Sequence, residues 1–323
     1  MNAGKSPLET GIKVGISSCL LGMKVRFDGG HKHDNYITQT LGRYFEWVPV
    51  CPEVEMGMEI PRENIRLVGD AEDPRLIGHK SGTDYTRMMR SYTENRLEDL
   101  KKVDLHGYIL KKNSPSCGMH RVRVYAGSGA PVRSGTGIFA RALMQKFPLL
   151  PIEEEGRLND LPLRENFIER VFAHHRLFQF LNSNPRPADL VRFHTRHKLT
   201  IMSHSHKEYK SMGQLVARAG NSDFATLLYD YSVLFMRALE VKSTKRKHVN
   251  VLYHIIGHFR QSVDSEDKQE LIDTFEQYRL GFLPLIVPVT LIRHHLRRHP
   301  VDWVNDQIYL NPYPAELMLR NFI

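Results

Sequence analysis

Residues 13–18, K-V-G-I-S-S, form a short β-prone run that ends at Cys19. Two later runs repeat that arrangement. Residues 45–50 (F-E-W-V-P-V) end at Cys51, and 107–110 (G-Y-I-L) open a loop, 111–118, that carries Cys117. Pro49 demotes the second run toward a sheet edge or a strand end, because proline donates nothing to a ladder. Residues 84–102 have the polarity and spacing of a helix, with Met88, Met89, Tyr92, Leu97 and Leu100 apolar and Thr83 or Asp84 as N-cap. Residues 137–147 read as a closing helix and 149–152 as a last strand. Strand, loop and helix in repetition predict an α/β domain with a parallel, Rossmann-like sheet. Loops beyond the carboxyl ends of such strands gather into one crevice. Cysteines 32 and 66 residues apart are therefore expected to converge.

Outward from this core, residues 153–163 (E-E-E-G-R-L-N-D-L-P-L) read as a boundary, giving domains 1–155 and 160–323. Beyond it the pattern turns helical, over 164–182, 188–205, 211–219, 223–239, 245–261 and 265–280. An all-α second domain follows from that pattern. A length of 323 residues fits two domains, and 41% hydrophobic with 25% charged residues excludes disorder, collagen and coiled coil. No apolar run approaches the ~20 residues of a membrane span; the best, 282–292, is broken by Pro284 and Pro288. Residues 1–10 are polar and do not read as a signal peptide. Three cysteines are too few and too odd for a disulfide framework, so a cytoplasmic, reducing location is expected.

The net charge of +9 is uneven: +3 over residues 1–160 and +6 over 161–323, which also hold 12 of the 17 histidines. A positive field of this kind favours polyanions or serves solubility. Each cysteine lies among Ser, Pro and Gly at a strand end. Three buried free thiols would be the plain reading. A zinc site completed by His31, His33 or His120 is a second, although no C-x-x-C pair occurs. A four-iron cluster is a third, and with three cysteines one iron would have no thiolate and could act as a Lewis acid.

Taken together, S-S-C-L-L-G (17–22), V-R-F-D-G-G (25–30), V-P-V-C-P-E (48–53) and S-P-S-C-G (114–118) resemble the TudS-type thiouracil desulfidase family, over roughly residues 13–150. The second half is similar to the YbgA-like helical domain through F-H-T-R-H-K (193–198), P-L-I-V-P (284–288) and H-H-L-R-R-H-P (294–300). The order of the halves resembles the RudS-type desulfidases, which act on 4-thiouridine in tRNA. The resemblance implies a 4Fe-4S cluster on Cys19, Cys51 and Cys117 with one open iron. It also implies a non-redox reaction in which water replaces the thiocarbonyl sulfur and sulfide leaves.

Glu53 and Asp28 are the candidate bases, and Ser116 is a third candidate catalytic group; an N-cap or an ion pair with Arg62 is the ordinary alternative for Glu53, and a turn role for Asp28. Arg26, Ser18, Lys111 and Ser114 are candidates for binding substrate. In the second half, Arg196, Lys198, Lys245, Arg246, Lys247, Arg293, Arg297 and Arg298 are candidate RNA contacts, with Phe193, Tyr209 and Tyr253 to stack on bases. Solvated helix faces are the plain alternative. The histidine pairs 174/175 and 204/206 read as core or surface residues. The first functional reading is therefore a desulfidase acting on thiouridine in tRNA or a free thiopyrimidine. The second is an RNA-binding or regulatory module whose cluster is structural or redox-sensing.

Overall fold

Ile12, Val14 and Ile16 are fully buried, and the strand they build lies inside a parallel sheet covered on both faces. The structure is a computed structural model that describes residues 11–126, 130–220, 223–259 and 263–321. The reading of residues 1–10, and the end of the helix expected to reach 261, lie outside those residues. The chain divides into two compact units, Met1–Asn159 and Asp160–Ile323.

In the first unit the strands are β1 (Ile12–Ser17), β2 (Phe45–Val50), β3 (Ile65–Val68), β4 (Arg75–Gly78), β5 (Gly107–Leu110), β6 (Val122–Tyr125), β7 (Val132–Gly135) and β8 (Ile152–Glu154). One sheet has the order β2-β1-β5-β8, with every pairing parallel. β2 is at its edge, where Pro49 is tolerated. Gly15 stands opposite Tyr108, and a Cβ there would come within 2.3 Å of that ring, so the glycine admits a buried tyrosine across the pair. The helices are α1 (Pro52–Glu55), α2 (Thr86–Lys101) and α3 (Ile138–Lys146). Leu97 and Leu100 from α2 and Phe139 and Leu143 from α3 pack with Tyr108, Leu110 and Ile152 into one core. Fully burying each such side chain stabilises the fold by about 1.5–3 kcal/mol.

A second sheet, β4-β3-β6-β7, was not expected. Its β3–β6 pairing is parallel and the two outer pairings are antiparallel. Two further expectations need correction. Met88 is 49% exposed and lies outside the apolar face of α2. The last strand starts at Ile152 instead of 149. The units divide after Asn159, within the segment 153–163, whose acidic start is structured: Glu153 and Glu154 belong to β8, and Glu155 is buried beside them.

The second unit is helical: α4 (Leu161–Asn182), α5 (Pro187–His204), α6 (His206–Ala217), α7 (Phe224–Glu240), α8 (Lys245–Ile256), α9 (Ser265–Leu280) and α10 (Ile286–Arg298). Asp160 accepts from the Leu163 amide and starts α4 three residues before its expected position. Ser205 ends α5 and caps α6 by accepting from the Glu208 amide. Helix α10 was unforeseen because of its prolines, yet Pro288 falls in the first turn, where no amide donor is needed. Phe193 is buried between Phe180 and His197, at ring distances of 4.6 and 4.1 Å, and so is not a base-stacking surface. His204 is also internal, 3.0 Å from the Glu169 carboxylate.

Candidate functional site

Each of the first three parallel-sheet strands in the chain that carry a cysteine motif ends at the same cavity, of about 650 Å³, and Cys19, Cys51 and Cys117 all line it. After β1, a 3-10 turn (Ser18–Leu21) presents Cys19, and its carbonyl accepts from Lys32 at 2.8 Å. After β2, Cys51 opens α1, with Pro52 in the first turn. The Cys51 amide donates to Glu55 Oε1 at 2.8 Å, and Glu55 Oε2 accepts from the Tyr92 hydroxyl at 2.6 Å, tying this turn to α2. After β5, Ser114 Oγ accepts from the Cys117 amide at 3.1 Å. Gly137 has to be glycine because a Cβ would come within 2.4 Å of the Ser116 carbonyl.

The fourth strand brings carboxylates in place of a thiol. Glu154 Oε1 accepts from the amides of Met119 and His120, at 2.7 and 3.2 Å. Glu155 accepts from the Lys112 amide at 2.7 Å and pairs with Lys111 Nζ at 2.5 Å. Both ends of the Cys117 loop are thereby fixed. Neither glutamate was singled out from sequence, since an E-E-E run next to Gly and Pro reads as solvated boundary.

Glu53 lies in the cavity wall with both oxygens engaged. Ser116 Oγ donates to Oε1 at 2.7 Å, while Arg62 Nε and Nη2 donate to Oε2 at 3.1 and 2.6 Å. The pair with Arg62 is largely buried, the side chains being 15% and 5% exposed. Ser116 Oγ is also 2.9 Å from Ser114 Oγ. Burial pushes the Cys19 thiol up to about 11, against the pull of Lys111, and raises Cys51 and Cys117 as well. Thiols so shielded ionise when a cation takes them as ligands.

Of the other expected residues, Ser18, Arg26 and Lys111 line the cavity with Ser114 and Ser116. Asp28 does not. It is exposed, accepts from the Gly30 amide at 3.0 Å and lies 3.4 Å from Arg26, and these contacts hold its carboxyl below the usual range. Among the described residues, Glu53 is the one acid in the lining, against eight Lys and Arg. Three of the eight, Arg66, Arg123 and Arg133, come from the second sheet and were missed. Arg123 and Arg133 stand opposite each other on β6 and β7, where facing like charges cost stability. That cost is offset when an anion lies between them.

In the helical unit, three candidate RNA contacts are used internally. Arg293 Nη2 donates to the Leu310 carbonyl, Lys247 Nζ donates to those of His204 and Lys242, and Lys198 Nζ sits 4.1 Å over the Trp303 ring. Arg196, Lys245, Arg246, Arg297 and Arg298 are exposed. The Tyr253 hydroxyl donates to Glu276 at 3.2 Å, and Tyr209 is partly buried against the core. No described helix is long and apolar enough to cross a membrane.

The chain is similar to known proteins in each half. Residues 14–155 match the model of the 2-thiouracil desulfurase family, and residues 198–314 match a family of unknown function, DUF1722. The uncharacterized protein YbgA of Escherichia coli (strain K12) is 32% identical over 155 residues, 47% of this chain and 90% of that protein. The uncharacterized protein YbbK of Bacillus subtilis (strain 168) is 30% identical over 151 residues, 45% of this chain and 97% of that protein. Among solved structures, a [4Fe-4S]-dependent thiouracil desulfidase, TudS, is 30% identical, over 47% of this chain and 96% of its own, with a TM-score of 0.37. On these matches, the chain belongs to the 2-thiouracil desulfurase family and carries a YbgA-like DUF1722 region in its second half.

Proposed function

We propose that this protein removes sulfur from a thiocarbonyl pyrimidine, 4-thiouridine in tRNA foremost, and releases it as sulfide. The observation that carries the reading is the meeting of all three cysteines with Glu53 and Ser116 in one cationic cavity. The residues present fit a 4Fe-4S cluster: three free thiols share the cavity, and the chain has no fourth cysteine. Cys19, Cys51 and Cys117 would hold it, and the lining lysines and arginines offset the negative charge that three thiolates bring. When bound, such a cluster supplies a Lewis acid that polarises C=S and makes sulfide a better leaving group.

The remaining chemistry falls to side chains. Water adds at the carbon that bears sulfur, the C–S bond breaks, and water's oxygen becomes the carbonyl of the product. No net electrons are transferred. Glu53 Oε1 takes the proton that water gives up, directly or through Ser116 Oγ, while Arg62 keeps the carboxylate aimed at the cavity. Arg26, Ser18 and Ser114 line the space that receives the pyrimidine, and Lys111 is held at its wall by Glu155. Arg66, Arg123 and Arg133 suit a phosphate flanking the base. A reaction run in heavy-oxygen water tests the scheme. One labelled oxygen at the former thiocarbonyl carbon and one sulfide per product are expected, without dependence on added dithionite. Unlabelled product, or a stoichiometric need for electrons, overturns it.

The RNA arm of the reading is carried by the exposed cations of the helical unit. Affinity for tRNA is expected to fall steeply with salt as phosphate contacts release counterions. Arg297→Ala with Arg298→Ala should raise the Kd for tRNA about tenfold and leave turnover of a free thiopyrimidine unchanged. Arg293 is omitted because its guanidinium braces the Leu310 carbonyl. Equal loss on both substrates would argue against an RNA surface there.

A further inference from the structure

His295 is buried, 2% exposed, in the last turn of α10, and neither ring nitrogen has a hydrogen-bond partner among the described residues. A buried imidazole left in that state is costly unless something else engages it. A carboxylate stands beside it: Asp267 Oδ2 lies 3.8 Å from Nδ1, too far for a hydrogen bond. Asp267 is in the first turn of α9, and Glu270 follows three residues later, so both project from one helix face. One donor atom from each of Asp267, Glu270 and His295 lies within 4.8 Å of the others.

The charges in this corner are also unsettled. Among the described residues neither Asp267 nor Glu270 has a Lys or Arg partner, although Glu276 on the same helix is paired with Arg279 at 2.6 Å. We propose that Asp267, Glu270 and His295 form a binding site for a first-row divalent cation of the Zn²⁺ and Mn²⁺ class. One imidazole nitrogen and two carboxylate oxygens are the donor set such ions take, with no thiolate to select softer metals. Donors bonded at about 2.1 Å stand about 3.0–3.4 Å apart at octahedral and tetrahedral angles, so the three must close by up to ~2 Å. Asp267 is 31% exposed and Glu270 is exposed, which leaves both carboxylates room to turn inward. Their position at the surface leaves further coordination places to water. Such an ion would clasp the start of α9 to the end of α10 in a unit whose family carries no assigned function.

Cobalt(II), a coloured substitute for this class, is the probe. Titrated into the full-length protein, it should occupy one site whose visible bands lack the thiolate charge-transfer signature that cobalt on cysteine gives. Asp267→Asn with Glu270→Gln, at the surface, should weaken that site at least tenfold, as should His295→Gln. The signal is the difference between wild type and variant, so cobalt held at the thiols cancels. The double variant carries the test if His295→Gln fails to fold. Identical uptake and spectra in wild type and double variant, or no thiol-free site in wild type, overturn the proposal.

Discussion

Serine in place of Cys19, Cys51 or Cys117, one at a time, should strip the protein of iron and of sulfide release together. Each thiol closes a different strand of the same sheet, and each faces the same cavity, so no neighbour can move across to replace it. The chain has no fourth cysteine in reserve. A serine hydroxyl is a poor ligand for a soft iron–sulfur centre. The expected result is loss of most bound iron and at least a hundredfold drop in turnover in all three variants, with the thermal transition of the metal-free chains little changed. Full iron content and turnover in any two of them would remove the cluster from the mechanism.

Glu53→Gln should be the second severe lesion, and a selective one. The amide keeps the shape of the carboxylate and leaves an oxygen for Arg62, yet it cannot take a proton. General bases contribute about 10²–10⁴-fold to rate, so kcat should fall by about that factor while KM moves by less than threefold. Ser116→Ala should cost less if the serine only relays the proton, and as much if it is the sole path to Glu53. Asp28→Asn serves as the contrast. Asp28 is exposed and outside the lining, and its variant should retain turnover within a few fold. A normal kcat in Glu53→Gln, or a collapse in Asp28→Asn, would move the base.

The parallel sheet was legible because β1 and β5 are short apolar runs, each followed by a turn or loop that carries Ser, Cys and Gly. Period and punctuation agree there. The second sheet was not legible, since V-R-V-Y and V-R-S-G are four residues long and arginine at alternate places reads as polarity. Its signal was the alternation itself, with Val122 and Val124 buried and Arg123 outside. The acidic run misled for a related reason. Three adjacent glutamates suggest solvent, and only tertiary structure reveals that backbone amides, Lys111 and Arg157 are waiting for them. The cations of the second half divided in the same way, because clustering along a sequence does not tell a guanidinium at the surface from one that braces a carbonyl, as Arg293 does. An ion pair with Arg62 was one of the alternatives that the sequence left open for Glu53, but Ser116, 63 residues away, could join them only in the fold.

Glu154, the last residue of β8, and Glu155 just after it fasten the two ends of the loop that carries the last cysteine. During synthesis, all three thiols leave the ribosome well before these anchors do. The nascent chain therefore passes through an interval in which every cysteine is present but the third is not yet held in position. A cluster held by all three thiols, as proposed, would then be completed only after residue 155, and a chain cut just ahead of Glu153 would keep all three cysteines while losing the clasp on the third.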